Sequence, residues 1–312
     1  MNVVFLGTPE FAVATLEAIL AAGHTVQEVI TQPDRPKGRR QELIPSPVKA
    51  AALRHGLPVY QPERIRRPES VEHLKALSPE VMVVVGYGQI IPQVVIDIAP
   101  LGIINVHASL LPELRGAAPI QWSVVRGFAT TGVTTMRINA GLDTGDVLDR
   151  WETPIGPDET SPELSVRLAE AGATLLVQTL SKLKDGTAAP VPQDDALATL
   201  APILKKEDGR IDWRLPAQQI HNLIRGFLPW PGAHTVFRNQ SLHIWRSRLV
   251  SELQAGSGLA PGAIVQERQG VFVIGGDGAA LELLEVQLEG RKRMPAEVFA
   301  NGHRLTQNDV LT

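Results

Sequence analysis

Two hydrophobic rhythms alternate from the first residue to Gly186. Residues 2–6 (NVVFL) form a short apolar run that stops at Gly7. Residues 9–22 follow with Phe11, Val13, Leu16, Ile19 and Leu20 at the spacing of one helix face, closed by Gly23. The pattern repeats. Strands are predicted over 25–31 (TVQEVIT), 81–85 (VMVVV), 103–106 and 132–138 (GVTTMRI), and helices over 46–55, opened by Ser46 and Pro47, and over 163–183. In the last helix Leu168, Leu175, Leu176, Leu180 and Leu183 face inward. Val/Ile runs that do not alternate with polar residues belong to strands covered on both faces, so the expectation is a Rossmann-like, mostly parallel α/β sheet with helices on both faces.

After Gly186 the rhythm is lost, and 187–206 mixes Ala, Pro and acidic residues without a period. From Gly209 onward one helix (217–225) precedes short strand-like segments at 234–237, 242–249, 263–265, 271–274 and 281–288, separated by turn residues at hairpin spacing. That pattern predicts a small antiparallel β-barrel of the OB-like kind. The expected organisation is a catalytic domain over 1–189, a linker over 190–208 and a barrel domain over 209–312. A chain of 312 residues exceeds the usual size of a single core, in keeping with two domains.

Composition narrows the chemistry. With 44% apolar and 20% charged residues the chain is globular rather than disordered or fibrous. It has no cysteine, so thiolate catalysis, disulfides and cysteine-ligated metals are excluded, and no metal is expected. The N-terminus lacks a basic n-region and no stretch is long enough to span a bilayer, which leads to an expectation of cytoplasmic location. Net charge is −3, divided unevenly: 11 Lys/Arg against 9 Asp/Glu from Gly209 onward, and 19 against 24 before it. Any polyanion would favour the second half.

Gly7 lies between a strand and a helix, but the later glycines of a dinucleotide fingerprint are missing, which argues against a nicotinamide cofactor there. A sharper constellation occupies 104–122, INVHASLLPELRGAAPIQW. Asn105 and His107 are two residues apart, so in an extended segment both point to one side, at the carboxyl end of a strand where α/β sheets bind ligands. Further on, GLDTGD places Asp143 and Asp146 between glycines that permit a turn near that edge. A structural histidine, an Asx-turn aspartate and a loop-capping asparagine are the alternative readings of the three residues taken singly. The segment PDRPKGRRQELIPSPVK (33–49) carries Arg35, Lys37, Arg39, Arg40 and Lys49, either as a solvated connection or as a grip on phosphates. Trp213, Trp230 and Trp245 form either a barrel core or a stacking surface.

These segments, in this order, resemble one family. FLGTPEFA, TQPDRPKGRR, PSPVKAAA, NVHASLLP with RGAAPIQ, GLDTGD, GRIDW and PWPGA are similar to the methionyl-tRNA formyltransferases, within the wider folate-dependent formyltransferase superfamily. The resemblance implies transfer of a formyl group from 10-formyltetrahydrofolate to the α-amino group of methionine on initiator tRNA, for translation initiation. It implies Asn105, His107 and Asp143 as catalytic residues, the first two stabilising an oxyanion and the third orienting the imidazole and helping to move protons. Ser109, Leu110, Leu111 and Pro112 would lie along the folate, with Gly88, Gln89, Ile90 and Ile91 lining the pterin. Lys37, Arg39 and Arg40 would contact tRNA, and a monomer is expected. A UDP-amino-sugar formyltransferase and a non-catalytic RNA-binding protein on the same scaffold are the competing expectations.

Overall fold

The computed structural model describes residues 1–37, 42–250, 258–306 and 309–312. They form two compact units that interleave along the chain: Met1–Gly116, Thr131–Thr153 and Ser165–Leu200 in the first, Ala117–Thr130, Pro154–Leu164 and Ala201–Thr312 in the second.

The strands of the first half are β1 (Asn2–Gly7), β2 (Thr25–Ile30), β3 (Arg35–Lys37), β4 (Glu42–Ile44), β5 (Val59–Tyr60), β6 (Val81–Val85), β7 (Ile103–His107), β8 (Arg115–Gly116), β9 (Thr130–Arg137) and β10 (Val147–Pro154). Its helices are α1 (Val13–Ala21), α2 (Pro47–Arg54), α3 (Pro68–Leu77), α4 (Gln93–Ile96), α5 (Pro119–Val125) and α6 (Ser161–Lys184).

Seven strands form one sheet in the order β10-β9-β7-β6-β1-β2-β5. β1 pairs parallel with β2 and β6, and β6 with β7, while β9 runs antiparallel to β7. The sheet is therefore mostly parallel, as expected, with one antiparallel turn at its edge. Every residue of β6 and β7 is buried, which is why their sequences do not alternate. Along α6, Leu164, Leu168, Leu176 and Leu180 are fully buried and recur at the spacing of one face. α2 begins where Pro47 supplies a helix-ready φ and the Ser46 hydroxyl accepts the Lys49 N–H. The strand order reverses between β1 and β6, and their carboxyl ends, with that of β7 beside them, open on the crevice such sheets use for ligands. There the chain turns away from β6 at Gly86, whose φ of +57° no β-branched residue would adopt without strain.

The basic segment is a hairpin rather than a loop: β3 and β4 pair antiparallel, Arg35 opposite Ile44 and Pro36 opposite Leu43. Arg39 and Arg40 lie outside the described residues. At its base Lys49 bonds to Asp34 and to Gln61, and that contact holds the Asp34 carboxyl below the usual carboxylate range.

Of the 187–206 stretch, β11 (Leu200–Ala201) is the one strand. The second unit adds α7 (Ala217–Gly226), β12 (Ala233–Phe237), β13 (Gln240–Leu249), β14 (Ile264–Glu267), β15 (Gly270–Ile274), β16 (Ala280–Leu288), β17 (Met294–Pro295) and α8 (Ala296–His303). Its strands form an antiparallel sheet in the order β12-β13-β16-β15-β14, with β17 on β16. The last residues bridge the two ends of that path: Thr312 exchanges hydrogen bonds with Val236, and Leu311 donates to Gly262. Ile220, Ile224, Phe227, Phe237, Ile244 and Leu281 centre the core. Of the three tryptophans, Trp213 is core, Trp230 is exposed, and Trp245 stacks on His243 beneath the Arg293 guanidinium, 3.4 Å away. No helix among the described residues is long and apolar enough to cross a membrane.

Candidate active site

β7 delivers Asn105 and His107 to the carboxyl edge of the sheet on one face, because side chains two apart in a strand point the same way. Both are buried, at 8% and 6% exposure, although both are polar. Burial of a polar group is stable only when it is partnered or reserved for a ligand. No hydrogen bond to another described residue occupies the Asn105 carboxamide.

The His107 ring is held by Nε2, 3.0 Å from the carbonyl oxygen of Leu114. A carbonyl only accepts, so Nε2 carries the proton and, in the neutral ring, Nδ1 presents its lone pair. Nδ1 faces the Oδ2 of Asp143 at 3.7 Å. The same Oδ2 accepts the Gly116 N–H at 2.8 Å. The imidazole is thus oriented by a backbone carbonyl, and the carboxylate stands opposite Nδ1.

Asp143 sits in the turn that GLDTGD was expected to make. Its own φ is +51°, a left-handed conformation that Asp and Asn tolerate better than most residues. Gly145 has no alternative: a Cβ there would stand 1.8 Å from the Arg137 carbonyl oxygen. Gln193 donates to the Asp143 and Gly145 carbonyls at 2.8 and 2.7 Å.

The segment after His107 is fixed from inside. Thr134, opposite His107 on β9, donates to the Ser109 carbonyl and accepts the Leu111 N–H. Ser109 is fully buried and its hydroxyl is engaged by the Glu113 carbonyl at 2.6 Å. Leu111 packs on Met136 and Val147, and Leu110 and Pro112 are half-buried. The Gly88–Ile91 stretch divides. Gln89 turns its carboxamide back onto the Ile65 N–H and the Pro62 carbonyl, Ile91 packs into the sheet's core, and Ile90 is 91% exposed. Three contributors were invisible in the sequence: the Leu114 carbonyl and the Gly116 N–H, which have no side-chain signature, and Gln193, a single glutamine in a segment without periodicity.

Comparison with known proteins decides the family. The formyl transferase family pattern matches residues 1–180, and the pattern of the formyl transferase C-terminal domain matches 203–304. The methionyl-tRNA formyltransferase of Solibacter usitatus is 64% identical over 311 residues, covering 100% of this chain and 98% of its own length. The chain belongs to the methionyl-tRNA formyltransferase family. A second methionyl-tRNA formyltransferase, from Koribacter versatilis, is 56% identical over 312 residues, covering 100% of this chain and 98% of that one. Among solved structures, an N-formyltransferase from Helicobacter canadensis, determined with folinic acid and dTDP-3-aminofucose, shares the fold at 19% identity and a TM-score of 0.68. That match covers 90% of this chain and 98% of the other. In this formyltransferase β7 and the Asp143 turn both lie within residues 1–180, which the formyl transferase family pattern matches.

Proposed function

We propose that Asn105, His107 and Asp143 carry out transfer of the formyl group of 10-formyltetrahydrofolate to the α-amino group of methionyl-tRNA. The observation that supports this most is the His107 ring, pinned through Nε2 to Leu114 with Nδ1 turned to Asp143. As the amine nitrogen bonds to the formyl carbon, the formyl oxygen becomes an oxyanion and the nitrogen must shed a proton. Nδ1 accepts that proton, and the resulting imidazolium is balanced by Asp143. The Asn105 carboxamide and the new Nδ1–H then donate to the oxyanion. When the bond to the folate nitrogen breaks, the proton passes to that nitrogen, and the ring returns to neutral.

Ser109, Leu110, Leu111 and Pro112 line the path of the folate in this reading, with the Gly88–Ile91 stretch at the pterin end. Lys37, Arg39 and Arg40 of the basic segment contact the tRNA in this reading, and the segment from Gly209 onward lies along it. The test is direct. The enzyme is given formyl-donor folate with methionyl initiator tRNA, methionyl elongator tRNA, a mismatched aminoacyl-tRNA and a nucleotide-linked amino sugar, and the formylated amine is identified by mass spectrometry. Formyl-methionine on initiator tRNA is the expected product. Formylation of the sugar alone, or of none, overturns the reading.

A further inference from the structure

We infer that Gln193 is a positioning residue for the transfer step, fixing the carboxylate of Asp143 against His107. The inference rests on the reading of Asp143 given above and extends it to a residue outside the catalytic three.

Gln193 belongs to the aperiodic stretch after Gly186, yet that stretch is tied down on both sides of it. Val191 exchanges two backbone hydrogen bonds with Val147, and Thr199 takes the Arg115 N–H on its carbonyl and the Leu114 N–H on its hydroxyl. Between these ties the Gln193 side chain makes four contacts. Its Oε1 accepts Nε and Nη2 of Arg115 at 3.1 and 2.8 Å, and its Nε2 donates to the carbonyls of Asp143 and Gly145. Only a carboxamide offers two acceptor lone pairs on one atom and two donor hydrogens on another. Glutamate would lack the donors, and lysine or arginine the acceptor.

The contacts close a ring. Gln193 holds the buried Arg115 side chain, Arg115 precedes Gly116, the Gly116 N–H holds the Asp143 carboxylate, and Gln193 holds the Asp143 carbonyl. Asp143 has a left-handed backbone that its own residue type does not enforce, so contacts from outside must maintain it. A small displacement of the turn would change the 3.7 Å separation on which the charge balance depends. Displacements of about 1 Å at a reacting centre cost up to roughly 100-fold in rate.

The experiment uses Gln193→Met, which keeps length and removes all four hydrogen bonds, and Gln193→Glu, which keeps an acceptor for Arg115 and removes both donors. Each is measured in the otherwise natural chain and with Asp143→Asn, by single-turnover formylation and by steady-state kinetics. Both Gln193 variants are expected to lower kcat by about 10- to 100-fold, with KM for tRNA and folate within about twofold. In the Asp143→Asn background the same changes are expected to cost less than about threefold, because the group they position is already disabled. An equal loss in both backgrounds, a loss confined to KM, or natural turnover in Gln193→Glu overturns the inference. Natural turnover in Asp143→Asn alone would instead remove the catalytic reading of Asp143, so the two failures are distinct.

Discussion

Asp143→Asn separates the charge of this residue from its place in the fold. Asparagine is at home at a φ of +51°, and its carbonyl oxygen can accept the Gly116 N–H as the carboxylate does. The exchange turns a charge-assisted hydrogen bond into a neutral one, a stability cost of about 1 kcal/mol. The catalytic cost is larger. Two unit charges 3.7 Å apart interact by about 4 kcal/mol at an effective dielectric near 20. The Asp143 side chain is 17% exposed, so solvent and the remaining amide dipole recover part of that. A loss of about 2–4 kcal/mol of transition-state stabilisation remains, which is roughly a 30- to 1,000-fold fall in rate.

Single-turnover formylation with enzyme in excess reads the chemical step directly, and a melting curve with tRNA and folate titrations shows whether fold and binding are intact. The reasoning predicts a fall in the single-turnover rate with both affinities nearly unchanged. Natural rates would refute it, as would a fall explained wholly by weaker binding or by an unfolded protein.

Asn105→Ala removes a buried donor that no described residue occupies, and turnover is expected to fall by about 10²–10³ while tRNA affinity, measured by filter binding, holds. Gly145→Ala forces a methyl group to within 1.8 Å of the Arg137 carbonyl, and a destabilisation of about 3 kcal/mol, read from urea unfolding, is expected; an unchanged midpoint would mean the turn is built differently. In the second unit the Arg238 guanidinium, donating to both oxygens of Asp309, holds that carboxyl down to about 2, helped by the Thr306 N–H and hydroxyl. Because the folded value lies below the unfolded one of about 3.9, the pair adds stability above about pH 4 and loses it as pH falls toward 2. With Arg238 half-exposed, the gap between the natural chain and Asp309→Asn is expected to be about 1–2 kcal/mol at pH 6 and to close by about pH 2. A gap that stays constant with pH would refute the assignment.

How much of this could be read beforehand depends on where the information is held. Residues 2–6 and 81–85 announced buried strands because nothing polar interrupts them, and α6 announced itself through leucines on one face. α3 did not, since Pro68–Leu77 buries only Ser70, Val71 and Leu74, and Glu69, Glu72 and Lys75 break up the apolar pattern. The β3–β4 hairpin was hidden by a Pro- and Arg-rich sequence whose pairing depends on backbone register rather than on an apolar face. At the site, Asn105 and His107 were legible because strand alternation survives to the last residue of β7. Which way each residue of the Gly88–Ile91 stretch faces was not legible, because the chain leaves the sheet at Gly86 and alternation no longer decides it. Gln193 lies 50 residues from Asp143 along the chain, and only the folded ties of its segment bring them together.

The orientation of His107 has a consequence for how binding energy is used. Were the carboxylate needed to hold the neutral ring, its interaction would be present before and during reaction alike and would do little for the rate. Here Leu114 already fixes the ring through Nε2, so Asp143, 3.7 Å from Nδ1, is not needed to orient it. In the proposed mechanism the attraction between Asp143 and His107 is greatest when Nδ1 takes the proton of the attacking amine, which is when the formyl oxygen also acquires its charge. A carboxylate whose interaction strengthens in the transition state lowers the barrier by the difference between the two states. On that mechanism the loss on removing its charge is expected in kcat rather than in KM.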